Sequence, residues 1–297
     1  MSHNKAPIFK GISTALVTPF LDSGDVDFNS LAKLIDFQIE NGIAALTVCG
    51  TTGEASTLNE KEQTAIVEFT VKRANGKIPV IAGSGSNCTS KAISLSKSAQ
   101  SAGADALLIV TPYYNKASDE GLTRHYLAIA DCVDIPMILY NVPSRTGIDI
   151  PVSVYRKLST HENIVGLKEA RGNTDSVKVL TAEGVDLQIY SGNDRGLCDM
   201  LDVGALGCIS VASNIVPKEM SKLCDLYFSG ERSAAIDLEC HLSPIFDVLF
   251  CEVNPIPVKY ALSLMNKCKD TMRLPLCPPS SESADNIKKA LKMYNLT

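Results

Sequence analysis

The chain has 297 residues, 45% hydrophobic and 21% charged, with 33 acidic against 28 basic side chains and a formal net charge of -5. This is the composition of an ordinary globular protein and excludes disordered, collagen-like and coiled-coil chains. Lys and Arg form no cluster longer than a dipeptide, so the basic face that a nucleic-acid partner requires is missing.

The first ten residues are polar and carry Pro7, with no apolar core of a signal peptide. No apolar run approaches the ~20 residues of a membrane span. The expectation is a cytoplasmic protein without a membrane partner. From there the chain alternates. Short apolar, largely β-branched runs fall at residues 12–17, 44–49, 78–82, 106–111, 136–140, 164–168, 187–190 and 207–211. They lack strict polar alternation, as parallel strands buried on both faces do. Between them the period becomes helical. Asn59-Glu60-Lys61-Glu62 reads as a capping box, and Gly42, Gly76 and Gly103 fall where helices should stop.

Eight strand-plus-helix units fit either an open doubly wound sheet or a closed barrel. Almost every strand ends in polar or Gly-rich sequence, including Gly50-Thr51-Thr52-Gly53, Tyr140-Asn141, Lys168-Glu169 and Ser191-Gly192-Asn193. An open sheet gathers ligand residues at one switch point, whereas a barrel gathers them from many strand ends. The expected fold class is therefore α/β, a (β/α)8 TIM barrel with a C-terminal helical extension. The catalytic barrel covers residues 1–229. The extension covers 230–297, with a connector at 275–283 and a last helix at 284–294.

Lys168 ends a strand otherwise built of Ile164, Val165, Gly166 and Leu167, so it is expected to point into the barrel mouth. Burial there disfavours the ammonium and leaves an amine able to attack a carbonyl. The plainer alternative is a lysine that reaches water or pairs with Glu169. Tyr140 closes the preceding strand and could exchange protons beside that amine, or simply pack. Gly50-Thr51-Thr52-Gly53 offers two hydroxyls and backbone N–H groups near a helix start, suited to a carboxylate, or else a capped tight turn. Gly83-Ser84-Gly85-Ser86-Asn87 lacks the residues of a phosphate loop. The ten cysteines form no CxxC pair and read as reduced thiols filling the core, with no metal site.

Together, Gly50-Thr51-Thr52-Gly53-Glu54, Pro112-Tyr113-Tyr114-Asn115, the segment from Tyr140 to Gly147, Gly166-Leu167-Lys168-Glu169-Ala170 and Asn254-Pro255-Ile256-Pro257-Val258-Lys259 resemble the signatures of the dihydrodipicolinate synthase family, within the pyruvate-dependent class I aldolases. The resemblance runs through nearly the whole chain. It implies condensation of pyruvate with L-aspartate 4-semialdehyde on the route to diaminopimelate and lysine. Lys168 would carry pyruvate as an imine, with no other cofactor and no metal. The resemblance further implies a proton relay of Tyr140, Thr52 and Tyr114, with Tyr114 lent by a second subunit of a homotetramer, a dimer of dimers. It assigns Thr51 and Thr52 to the pyruvate carboxylate and the backbones of Gly192 and Ile209 to the substrate.

Arg145 suits the carboxylate of the second substrate, since a guanidinium can bind it through two N–H groups. The related lyases of sugar acids generally lack that arginine, and such a lyase or another 2-oxo acid aldolase is the alternative. A barrel that merely binds a 2-oxo acid would not need the lysine. Arg171 departs from the family pattern, where a small hydroxyl residue is usual, and could either reach the site or turn outward. The family's lysine-feedback positions correspond to Ser56, Glu60, Gln63, Asn87, Lys91 and Tyr113. Lys91 stands where lysine-sensitive members have glutamate, so it should repel an incoming lysine, and weak or absent feedback is expected.

Overall fold

Eight strands alternate with helices and close on themselves. The structure, a computed structural model, describes residues 6–297; the polar N-terminal stretch read above lies partly outside these. The order is β1 (Gly11–Ala15), α1 (Phe28–Glu40), β2 (Ala45–Val48), α2 (Glu60–Ala74), β3 (Val80–Gly83), α3 (Thr89–Ser101), β4 (Ala106–Val110) and α4 (Asp119–Ala130). It continues through β5 (Met137–Asn141), α5 (Pro143–Thr146), α6 (Val152–Leu158), β6 (Ile164–Glu169), α7 (Asp175–Ala182), β7 (Gln188–Ser191), α8 (Leu197–Asp202), β8 (Gly207–Ser210) and α9 (Pro217–Phe228). Three further helices follow, α10 (Arg232–Leu249), α11 (Ile256–Leu264) and α12 (Ser281–Met293).

Neighbouring strands are parallel, and β8 pairs back onto β1, closing the barrel. Each expected apolar run overlaps one strand, with bounds that differ by one or two residues. The capping box is also present: the Asn59 side chain accepts from Glu62 N–H at 3.0 Å and the Glu62 carboxylate from Asn59 N–H at 2.9 Å. The last helix starts earlier than its apolar period suggests, at Ser281, because the Ser280 hydroxyl accepts from Ser283 N–H and caps it there. α10 lies along α9, α8 and α12, so the extension is docked on the barrel's helical layer. No helix among the described residues is long and apolar enough to cross a membrane.

Alternation along each strand sorts side chains into two cores. Leu46, Val80, Leu107, Ile109, Met137, Leu139, Ile164 and Leu167 face the helices. Ala45, Ile81, Ala106, Leu108, Ile138, Tyr140, Tyr190 and Ile209 pack together inside the barrel. One irregularity decides where Lys168 goes. Met137 pairs with Ile164, but the next residue, Ile138, pairs with Gly166, leaving Val165 as a one-residue bulge. Ile164 and Leu167 both face the helices although three residues apart, which strict alternation forbids. The bulge shifts the parity, so Gly166 and Lys168 take the inward positions. Gly166 is needed there, since a Cβ would lie 3.0 Å from the Gln188 carbonyl oxygen and 3.5 Å from the Tyr190 ring. Tyr190 fills that space, stacked on Phe9 at 4.2 Å.

Candidate active site

The parity shift has a direct consequence at the strand ends. Tyr140 and Lys168 become register partners on β5 and β6, and Lys168 Nζ sits 4.3 Å from the centroid of the Tyr140 ring. Both residues are buried, Lys168 with 6% exposure. Glu169, the alternative partner for Lys168, faces the other way. Its carboxylate accepts from the Asn141 amide, the Ser176 hydroxyl and Arg171 N–H, and burial raises its pKa. The Lys168 ammonium therefore keeps no ion pair among the described residues. The fully buried Asp194 instead acts on it through space. Asp194 Oδ2 accepts the backbone N–H groups of Val211 and Ala212 at 3.1 and 2.9 Å, while Oδ1 has no partner among the described residues. Burial raises the Asp194 pKa, and the Lys168 charge opposes that rise.

Lys168 opens onto a cavity of about 200 Å³ lined also by Thr51, Thr52, Tyr140, Ser144, Arg145, Gly192, Phe250 and Asn254. A larger cavity of about 540 Å³ shares Thr51, Tyr140 and Arg145 and extends to Ser56, Gln63, Lys91 and Tyr113. Four of the six positions matched to the feedback site thus meet in one space continuous with the small cavity's wall. Glu60 and Asn87 do not line it. Asn87 gives its carbonyl to the Asn115 amide at 2.9 Å, and Gln63 donates to the carbonyls of Ala55 and Leu58.

Other expected site residues lie elsewhere. Ile209 packs inside the barrel with Tyr140 and lines neither cavity. Tyr114 is 91% exposed with a left-handed φ of 75° and also lines neither. Within one chain it is a surface residue. Arg171 turns outward: its guanidinium donates to Asp149 at 2.8 Å through Nε and to the Ile150 carbonyl at 3.3 Å.

The Thr51–Thr52 turn differs from the expected helix start. A single 3-10 turn, Ala55–Thr57, follows it, and α2 begins only at Glu60. What holds the turn is the C-terminal extension. Glu54 accepts from Lys259 Nζ, with both side chains wholly buried, and from Arg273 N–H at 3.3 Å. Lys259 and Arg273 both lie against the Phe20 ring. Asn254 Nδ2 donates to Thr52 Oγ1 at 3.0 Å, and the Asn254 carbonyl accepts from Arg145 Nη2 at 3.1 Å. Asn254, Ser144, Phe250 and Asp194 are site residues that the strand-end pattern did not single out; only the Asn254–Lys259 motif hinted at one of them.

The Gly-rich segment after β3 serves packing. A Cβ on Gly83 would lie 2.2 Å from the Cys49 carbonyl oxygen, and one on Gly85 2.5 Å from Val110 N. The ten cysteines carry free thiols, but only Cys49, Cys198, Cys208 and Cys224 are buried; Cys88, Cys240, Cys251 and Cys277 are exposed and fill no core. Among the described residues no group of three His, Cys, Asp or Glu could hold a metal.

Fold and site together define a class: a (β/α)8 barrel presenting a buried lysine beside a tyrosine at the C-terminal ends of adjacent strands, as lysine-imine chemistry on a carbonyl compound requires. The comparisons specify it further. The chain belongs to the dihydrodipicolinate synthetase family, which matches residues 8–294. It is 46% identical to the 4-hydroxy-tetrahydrodipicolinate synthase of Geobacter metallireducens, over 97% of this chain and 100% of that one. Among solved structures, the chloride-inhibited dihydrodipicolinate synthase of Acinetobacter baumannii complexed with pyruvate matches with a TM-score of 0.94 and 43% identity, covering 97% of this chain and 99% of that one. The enzyme of Cyanidioschyzon merolae with lysine bound matches at 0.94 and 35%, covering 98% and 100%.

Proposed function

We propose that this chain is a 4-hydroxy-tetrahydrodipicolinate synthase that condenses pyruvate with L-aspartate 4-semialdehyde. The observation that carries the reading is the β6 bulge, which turns Lys168 inward against Tyr140 above a closed barrel floor. The amine nitrogen of Lys168 attacks C2 of pyruvate, and the resulting carbinolamine loses water as Tyr140 delivers a proton to the leaving hydroxyl. Loss of a methyl proton from the imine gives an enamine. Its carbon then forms the new bond to the aldehyde carbon of the second substrate, whose oxygen takes up a proton.

Thr51 and Thr52 bind the pyruvate carboxylate, with backbone groups of Gly192 beside it. Arg145, on the wall common to both cavities, binds the carboxylate of the second substrate. Tyr114 completes the relay from a neighbouring copy, in keeping with its exposure and the position of Tyr113 beside it on the larger cavity. The assembly is then a homotetramer of paired dimers. The barrel (1–229) and extension (230–297) work as one unit, because Asn254 and Lys259 reach residues of the barrel turn. No observation favours a sugar-acid lyase, and Arg145 speaks for the synthase.

Incubation with pyruvate, borohydride reduction and peptide mapping should place a pyruvyl increment on Lys168. An unmodified Lys168 overturns every imine reading. Turnover of aspartate semialdehyde in a coupled assay then separates synthase from lyase. In the same assay L-lysine should inhibit weakly or not at all, since Lys91 lines the larger cavity with a cation. An inhibition constant well below a millimolar contradicts that part.

A further inference from the structure

The contact between Asn254 and Thr52 spans 202 residues and joins the extension to the barrel turn. A threonine hydroxyl has one hydrogen to give and two lone pairs to receive with. By donating its amide N–H to Thr52 Oγ1, Asn254 occupies one lone pair and leaves the hydroxyl hydrogen free to point elsewhere. The opposite amide orientation would have Thr52 donate to Asn254 and leave a buried N–H without an acceptor. In the observed orientation the unpartnered atom is instead the Asn254 carbonyl oxygen Oδ1, and unpaired buried carbonyls are tolerated better than unpaired N–H groups. Thr52 is 3% exposed and lines the cavity with Lys168 and Tyr140.

We propose that Asn254 is a positioning residue that sets the polarity of the Thr52 hydroxyl, so that Thr52 enters the cavity as a hydrogen donor to the carboxylate or to the Tyr140 oxygen. The inference rests on the pyruvate-imine reading above. It also separates the two substrates. The side chain of Asn254 serves Thr52 and the pyruvate half, while its backbone carbonyl serves Arg145 and the second-substrate half. Side-chain substitution should therefore weaken the first and spare the second.

The test is a double-mutant cycle on Asn254→Ala and Thr52→Val, read as kcat/KM for pyruvate, KM for aspartate semialdehyde and rate of borohydride trapping. In the wild-type background Asn254→Ala should lower kcat/KM for pyruvate and the trapping rate by about 10-fold or more, with the KM for the semialdehyde within twofold. In the Thr52→Val background the same substitution should have almost no further effect. Equal losses in both backgrounds, an unchanged pyruvate kcat/KM, or a semialdehyde KM that rises in parallel overturns the proposal. Should the alanine variant fail to fold, the isosteric Asn254→Asp carries the test. Its carboxylate only accepts, so Thr52 must turn its hydrogen toward it; pyruvate kcat/KM should fall at least as far, and wild-type values overturn the proposal. Failure of wild-type protein to trap pyruvate on Lys168 instead removes the reading on which the inference stands, so the two failures are distinct.

Discussion

Among the described residues two lysines are buried, one in the barrel and one in the extension, each with its ammonium against an aromatic ring, yet their surroundings lead to opposite ends. Lys168 Nζ lies 4.3 Å from the Tyr140 centroid and Lys259 Nζ 4.1 Å from that of Phe20. Lys259 is wholly excluded from solvent and paired with the equally excluded Glu54. Burial pulls its pKa below the ordinary lysine value, and Glu54 opposes that pull. Lys168 has the ring but no ion pair among the described residues, and it opens onto a cavity. The ion pair is what separates them: Lys259 is clamped to Glu54 inside the fold, whereas Lys168 faces a cavity in which a carbonyl compound can reach its nitrogen.

Exchanging the consequences of the two lysines is the strongest way to break this comparison. Lys168→Ala should abolish the borohydride adduct and lower kcat by roughly 10³-fold or more, with melting temperature little changed. Lys259→Met should do the reverse. Removing one partner leaves Glu54 as an uncompensated buried charge, which costs about 3–5 kcal/mol, or a melting drop on the order of 10 °C. Adding Glu54→Gln to Lys259→Met should recover much of that loss, because no lone charge then remains. Calorimetry beside peptide mapping decides it. A folded Lys259→Met protein without adduct, or a Lys168→Ala protein as destabilised as Lys259→Met, would show that the two lysines are not divided in this way.

The contrast also marks what was legible in the sequence. The eight apolar runs and the polar residues closing them could be read directly, because parallel strands bury both faces and a barrel exposes its strand ends. The inward aim of Lys168 was expected from its place at a strand end, but the bulge that produces it could not be read. Ile164-Val165-Gly166-Leu167 reads the same with or without a bulge, and strict alternation from Ile164 would have turned Lys168 toward the helices. Pairings across more than 200 residues were equally hidden. The Asn254–Lys259 motif was visible as a motif, but nothing local links Asn254 to Thr52 or Lys259 to Glu54. The Thr51–Thr52 turn, which lines the smaller cavity, could be picked out as a candidate from its residues, whereas its support lay in the extension, whose helical pattern resembles that of any surface segment.

A third buried base sharpens the rule at smaller amplitude. His125 on α4 has its Nδ1 3.0 Å from Thr89 Oγ1, while Nε2 is buried with no partner among the described residues. With neither a carboxylate nor a cavity mouth, it takes the remaining course and stays neutral: burial pushes its pKa down to about 4 from 6.5. The stabilisation follows from linkage. Below pH 6.5 the unfolded chain binds a proton on this histidine that the folded chain does not accept until about pH 4. This contribution is complete above pH 6.5 and is lost as the pH falls through that window, by about 2 kcal/mol at pH 5. His125→Gln removes the titrating group and keeps a side chain able to meet Thr89. Melting temperatures from pH 7 to pH 5 should therefore fall less steeply in the variant than in wild type, with kcat at pH 7 unchanged. Parallel curves would mean that His125 is already protonated in the fold, and that a buried base here needs neither a carboxylate nor a cavity to hold its charge.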